Sequence, residues 1–110
     1  MINKRIRTGM YGFIGWAAIS GAQLAQAADI ANGEALARRW CAGCHVIDKA
    51  AAARDVPPNF VTIAQRPAMS ENALLGWLNA PHPGMPNFDL SRAELSDLVG
   101  YIRSLAPRGN

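Results

Sequence analysis

The two cysteines of this 110-residue chain fall inside one five-residue segment, Cys41-Ala42-Gly43-Cys44-His45. C-x-x-C-H is the spacing of covalent c-type haem attachment. Two thiols about one helical turn apart can form thioether bonds to the two vinyl groups on one edge of the macrocycle. The adjacent imidazole then reaches the iron from the same side. A chain built this way folds round a large apolar body. A disulfide between the same two residues would close too short a loop to constrain much of the unfolded chain.

Other uses of the two thiols need features the sequence lacks. A thioredoxin-like C-x-x-C follows a strand in a βαβ context, whereas Cys41 follows a helical segment and no strand pattern is visible. A structural zinc site wants four well-spaced ligands. The candidates are Cys41, Cys44, His45 and His82, and His45 stands too close to Cys44 for an easy tetrahedral arrangement.

The first 27 residues read as a secretory leader. Lys4, Arg5 and Arg7 form a positive start, an apolar run follows from Met10 through Ile19, and Ala25-Gln26-Ala27 offers small residues for cleavage after Ala27. Ser20 and Ala22 give a second site. The alternative is an anchor that is never removed, which needs about 20 apolar residues. The run from Thr8 to Ala28 reaches that length, but Ser20, Gln23, Gln26 and frequent Gly interrupt it. No Cys lies near the cleavage site to carry a lipid. The expected mature domain is residues 28–110, exported to the periplasm, with no stable membrane association. Attachment of c-type haem also takes place outside the cytoplasm.

Cleavage changes the charge. The full chain has 11 basic and 8 acidic residues, and three basic ones but no acidic ones lie in the leader, so residues 28–110 carry eight of each. The pI of about 9.3 therefore belongs to the precursor. It gives no argument for nucleic acid or an anionic membrane as a partner of the mature protein. A domain of this size buries a modest core and often needs a staple, a part that a buried haem would fill.

Three main helices separated by long loops are predicted, an all-α architecture. The first runs from about Ile30 to Ala42 with Asp29 as N-cap. Ile30, Gly33, Ala37 and Cys41 fall near one face. Gly33 costs about 1 kcal/mol against Ala in a helix interior. On spacing alone it marks either a close helix crossing or a harmless flexible position. From His45 to about Ala68 the chain reads as irregular, with a helical turn at Ala50–Ala53 and with Pro57, Pro58 and Pro67 preventing a regular helix. The second helix runs from a Ser70 cap to Asn79, with Ala73, Leu74, Trp77 and Leu78 on its apolar face. Pro81, Pro83, Gly84 and Pro86 then impose a constrained loop. The last helix opens with Ser91 and Glu94 spaced as a capping box. It carries an apolar stripe of Leu95, Leu98, Val99, Ile102 and Leu105, and ends at Pro107 and Gly109.

An imidazole opposed by a thioether suits electron transfer, because the soft sulfur favours Fe(II). Outside the leader the thioethers are Met69 and Met85. Met85 lies in His82-Pro83-Gly84-Met85-Pro86, where the prolines stiffen the loop and Gly84 permits close approach. It is the expected ligand, Met69 is read as core filler, and His82 is the competing ligand or an exposed loop residue.

Together these segments resemble the class I cytochrome c family, from Asp29 to about Leu105, in its compact bacterial form. The resemblance implies the cytochrome c fold round one covalent haem, with thioethers at Cys41 and Cys44 and axial ligands His45 and Met85. It also implies that the first and last helices cross closely at a small residue eight positions before the first Cys. Gly33 stands there, opposite Gly100 and Tyr101, which settles its role as packing. Pro58-Asn59-Phe60 resembles the segment whose Pro carbonyl accepts the N–H of the proximal His, so Pro58 would orient His45. Trp77, Leu78 and Pro81 resemble the lining of the distal side. Trp77 would reach a propionate or the surroundings of Met85, or else serve as a buried packing residue, the preferred reading. Ala37 departs from the aromatic found there in many members, with Trp40 expected to supply the bulk. Lys49 is the only Lys after the leader, so docking through a lysine ring does not carry over.

The implied function is a carrier of single electrons between redox proteins such as a dehydrogenase, oxidase or reductase, either free or as the cytochrome subunit of a dehydrogenase. Two competing functions are a haem enzyme or gas sensor, which needs an open iron position, and a haem-free thiol or metal module.

Overall fold

The computed structural model describes residues 27–49, 56–80 and 82–107. The leader up to residue 26, the expected turn at Ala50–Ala53 and Pro81 lie outside the described residues. Four helices form: α1 Ile30–Trp40, α2 Phe60–Gln65, α3 Glu71–Asn79 and α4 Arg92–Ser104. No strand occurs among the described residues, and the all-α expectation holds.

The three predicted caps form. Asp29 accepts the Asn32 N–H at 3.0 Å, and Ser70 accepts the Ala73 N–H at 3.2 Å. Ser91 and Glu94 complete a reciprocal capping box at 2.8 and 3.2 Å. The Ser91 N–H and hydroxyl hold the Glu94 carboxyl below the ordinary carboxylate range. Arg38 and Arg39 in the last turn of α1 complement its negative C-terminal end.

The prediction of an irregular chain from His45 to Ala68 is corrected by α2. It is six residues long, capped by Asn59, which accepts the Thr62 N–H at 2.7 Å. Pro58 and Pro67 bound this helix rather than forbid it. Its Phe60 is buried, and the Phe60 N–H donates to the Val46 carbonyl at 3.0 Å.

α1 crosses α4 at close range, and two glycines make that approach possible. A Cβ on Gly33 would run into the main-chain carbonyl of Asp97 and sit 2.8 Å from the Tyr101 Cβ. One on Gly100 would lie 2.7 Å from the Ala28 Cβ. The Asp97 carboxylate also clamps the start of α1. It accepts the Asp29 N–H at 2.7 Å and the Asn32 side-chain amide at 2.8 Å, placing negative charge at the positive end of the helix.

The core is laid along α4, where Leu98, Val99, Tyr101 and Ile102 are buried. Ala37 and Cys41 of the α1 segment, Phe60 of α2 and Leu74 of α3 join them. Met69 packs half-buried against this cluster, matching its reading as filler.

Candidate functional site

Cys41 is the C-cap of α1, and its N–H still bonds the Ala37 carbonyl. The Cys44 and His45 N–H groups both bond back to the Cys41 carbonyl, at 3.1 and 2.9 Å. The helix thus ends two residues before the predicted Ala42, and a tight turn carries the rest of the motif. Cys41 is buried and Cys44 exposed. Burial pushes the Cys41 thiol up to about 11, the reverse of the lowered value that thiolate chemistry needs.

The His45 ring is tied at one nitrogen. Its Nδ1 lies 2.7 Å from the Pro58 carbonyl oxygen. A carbonyl can only accept, so the proton sits on Nδ1 and Nε2 keeps the lone pair. The ring also lies 5.5 Å from Phe60, which is 6.5 Å from Tyr101. The Tyr101 hydroxyl donates to the Ile47 carbonyl at 2.8 Å. α2 and α4 therefore both touch the short segment at His45–Ile47.

On the loop between α3 and α4, His82 and Met85 pair across Pro83-Gly84. Gly84 has φ +81°, and Pro followed by Gly at positive φ fits a type II turn. That conformation is the visible requirement for glycine, since open space surrounds its Cβ direction. The turn puts His82 Nε2 3.0 Å from Met85 Sδ. His82 Nδ1 donates to the Ala80 carbonyl at 3.1 Å, and the Trp77 ring lies 4.6 Å from the imidazole.

Two aromatic residues differ from expectation. Trp77 is 54% exposed, so it is not a buried packing residue. Its apolar neighbours Leu74 and Leu78 take the inward positions, and its indole covers His82. Trp40, expected to add bulk against α4, instead meets Phe88 at 5.5 Å and remains 40% exposed. Ala37 holds the α4-facing position and is 0% exposed. Trp40 is three residues on, about 60° round the helix.

A cavity opens between the end of α1, the end of α3, the loop and α4. Leu36, Cys41, Leu78, Met85, Leu95 and Leu98 are among its walls. Cys41 and Met85 thus face one space, walled by leucines on the helix side and joined by Asn79, His82, Asn87 and Asp89, while Cys44 and His45 are not among its lining residues. Leucine walls with a thiol on one helix and a thioether on the facing loop fit the apolar body of a haem, and the polar residues fit its charged edge. Among the described residues no three His, Cys, Asp or Glu side chains gather as a metal site. No helix among the described residues is long and apolar enough to cross a membrane.

Asp97 and Phe88 were not singled out in the sequence, because their partners are distant in the chain. Asn59 and Phe60 were named there only with the segment behind His45, although an Asx residue before an apolar run also signals the helix they open.

Residues 28–102 match the family model described as cytochrome C oxidase, cbb3-type, subunit III. The chain is also 47% identical over 93 residues to cytochrome c-552 of Bradyrhizobium diazoefficiens, covering 83% of this chain and 88% of that protein. No solved structure matches the chain significantly.

Proposed function

The chain belongs to the class I c-type cytochromes, in the family described as cytochrome C oxidase, cbb3-type, subunit III, and from that membership we propose that it is an exported carrier whose axial ligands are His45 and Met85. Its cofactor is haem c, covalently held, and it carries electrons rather than transforming a substrate. The observation that supports the Met85 assignment is the shared cavity, with Cys41 on one wall and the Met85 loop on another.

When bound, haem c supplies a one-electron Fe(II)/Fe(III) couple. Cys41 and Cys44 are the thioether-forming residues. His45 presents Nε2 as ligand while the Pro58 carbonyl holds its Nδ1 proton, which fixes the ring and strengthens it as a donor. Met85 presents a soft sulfur from a turn stiffened by Pro83, so it loses little freedom on binding. Leu78 and Leu98 beside the cavity, with Phe60 and Tyr101 behind His45, form a low-dielectric shell that disfavours the extra charge of Fe(III). Trp77 borders the distal side through His82. With His45 and Met85 both holding the iron, no position would be left for a substrate.

Residues 1–27 serve as a cleaved leader in this reading, which makes the periplasm the site of action. The partners are other redox proteins, a dehydrogenase, oxidase or reductase, met through small and short-lived contacts. With formal charge near zero on the mature chain, local patches steer those encounters.

The test is the absorption spectrum of the exported protein, with and without alkaline pyridine. A c-type pyridine haemochrome is expected, together with a weak Met-to-Fe(III) charge-transfer band that disappears in Met85→Ala. Haem without that band overturns the Met85 assignment, and the absence of covalent haem overturns the whole reading.

A further inference from the structure

We infer that His82 is a standby axial ligand, set to take the iron position whenever Met85 leaves it. The inference rests on the reading of Met85 as the resident ligand. The turn brings two ligating atoms to one place, His82 Nε2 and Met85 Sδ, 3.0 Å apart. Replacing one by the other is a change within a single turn and asks no helix to move.

The His82 ring is prepared as metal-binding imidazoles are. Such rings donate their second N–H to a backbone carbonyl or carboxylate, which fixes tautomer and orientation. His82 donates Nδ1–H to the Ala80 carbonyl at 3.1 Å. His45 has the same arrangement with Pro58 at 2.7 Å. The Ala80 carbonyl and the Met85 sulfur both only accept, so they compete for the single N–H of a neutral His82 ring; when Ala80 holds it, as Pro58 holds that of His45, the Nε2 lone pair is free beside the Met85 sulfur. Trp77 packs tilted against the ring, at 4.6 Å between centroids and 36° between planes, which restricts the imidazole. These are the only two histidines in the chain, and the other thioether of the mature chain, Met69, is packed against the core.

Exchange of donors has a chemical consequence. Thioether sulfur is soft and suits Fe(II), whereas imidazole is harder and serves Fe(III) comparatively better. Standby ligation by His82 keeps the iron closed to small exogenous ligands when the sulfur is lost, and lowers the potential of the carrier.

The test uses holoprotein. Met85→Leu keeps the volume and removes the donor. Met85→Ala is the second form if Met85→Leu does not accumulate. Each is combined with His82→Phe, which keeps a flat ring against Trp77 but cannot ligate. Covalent haem content and helical circular dichroism establish that each variant has folded. Met85→Leu is expected to give a low-spin, bis-imidazole ferric spectrum, and the double variant a high-spin one. The reduced double variant is expected to bind CO about tenfold more tightly, since a standby occupying nine-tenths of molecules lowers apparent affinity by that factor. A high-spin spectrum and equal CO affinity in both overturn the proposal. Low-spin ligation in both overturns it as well, because another group is then the ligand. If the parent protein lacks the Met-to-Fe(III) band, the resident-ligand reading falls and the standby role falls with it.

Discussion

The Tyr101 hydroxyl donates a 2.8 Å hydrogen bond to the main-chain carbonyl of Ile47. Tyr101 sits in α4 and Ile47 two residues beyond the His of the attachment motif, and both are buried. The last helix therefore holds the segment from which His45 projects. Tyr101→Phe removes the donor and strands a carbonyl away from water. A loss of about 1–3 kcal/mol is expected, at about 4–8 °C of melting temperature per kcal/mol for a domain this small. Thermal unfolding of holoprotein measures it. The Met85-dependent absorption band is expected to persist, since the ring of the substituted residue still packs against Phe60.

Gly33 tests the crossing of α1 and α4. Gly33→Ala places a methyl group against the Asp97 carbonyl and 2.8 Å from the Tyr101 Cβ, where backbone must shift. Overpacking of this kind costs about 1–3 kcal/mol, enough to outweigh the helix propensity gained. Gly43→Ala is the control, because its Cβ meets nothing within 4 Å. Urea unfolding is expected to show a lowered midpoint for the first and little change for the second.

Asp97 binds the start of α1 through two acceptor contacts at 2.7 and 2.8 Å. Asp97→Ala is expected to cost about 1–2 kcal/mol, discounted from the usual value of charged hydrogen bonds because the contacts are exposed. A double-mutant cycle with Asn32→Ala isolates the Asn32 contact. An interaction energy indistinguishable from zero would count against the clamp.

The capping box adds a pH dependence. The Ser91 N–H and hydroxyl lower the Glu94 value in the folded state. A depressed carboxylate contributes stability that is fully present above its unfolded value, about 4.3, and is lost as pH falls through the folded value. Urea midpoints of the parent and Glu94→Gln are therefore expected to differ at neutral pH and to converge below about pH 4. Ser91→Ala is expected to cost about 1 kcal/mol at neutral pH.

What the chain declares in its own order is local chemistry. C-x-x-C-H, the Asp29, Ser70 and Ser91 caps, and the apolar stripe of α4 each depend on neighbours a few residues away, so spacing alone reveals them. Family resemblance added the Gly33 crossing and the Pro58 carbonyl, which spacing left open or silent. Tertiary structure decided the rest. Asp97 clamps α1 from a position 68 residues beyond Asp29, and no pattern along the chain marks such a pair. α2 was hidden because a six-residue helix is too short to show a period, and prolines at its borders looked like prohibitions. Trp77 and Trp40 turned outward because Leu74, Leu78 and Ala37 already fill the inward positions, a matter of helix rotation set by packing. The approach of His82 to Met85 needed the turn at Pro83-Gly84 and the packing of Trp77 together, and only the folded chain brings the two to one point.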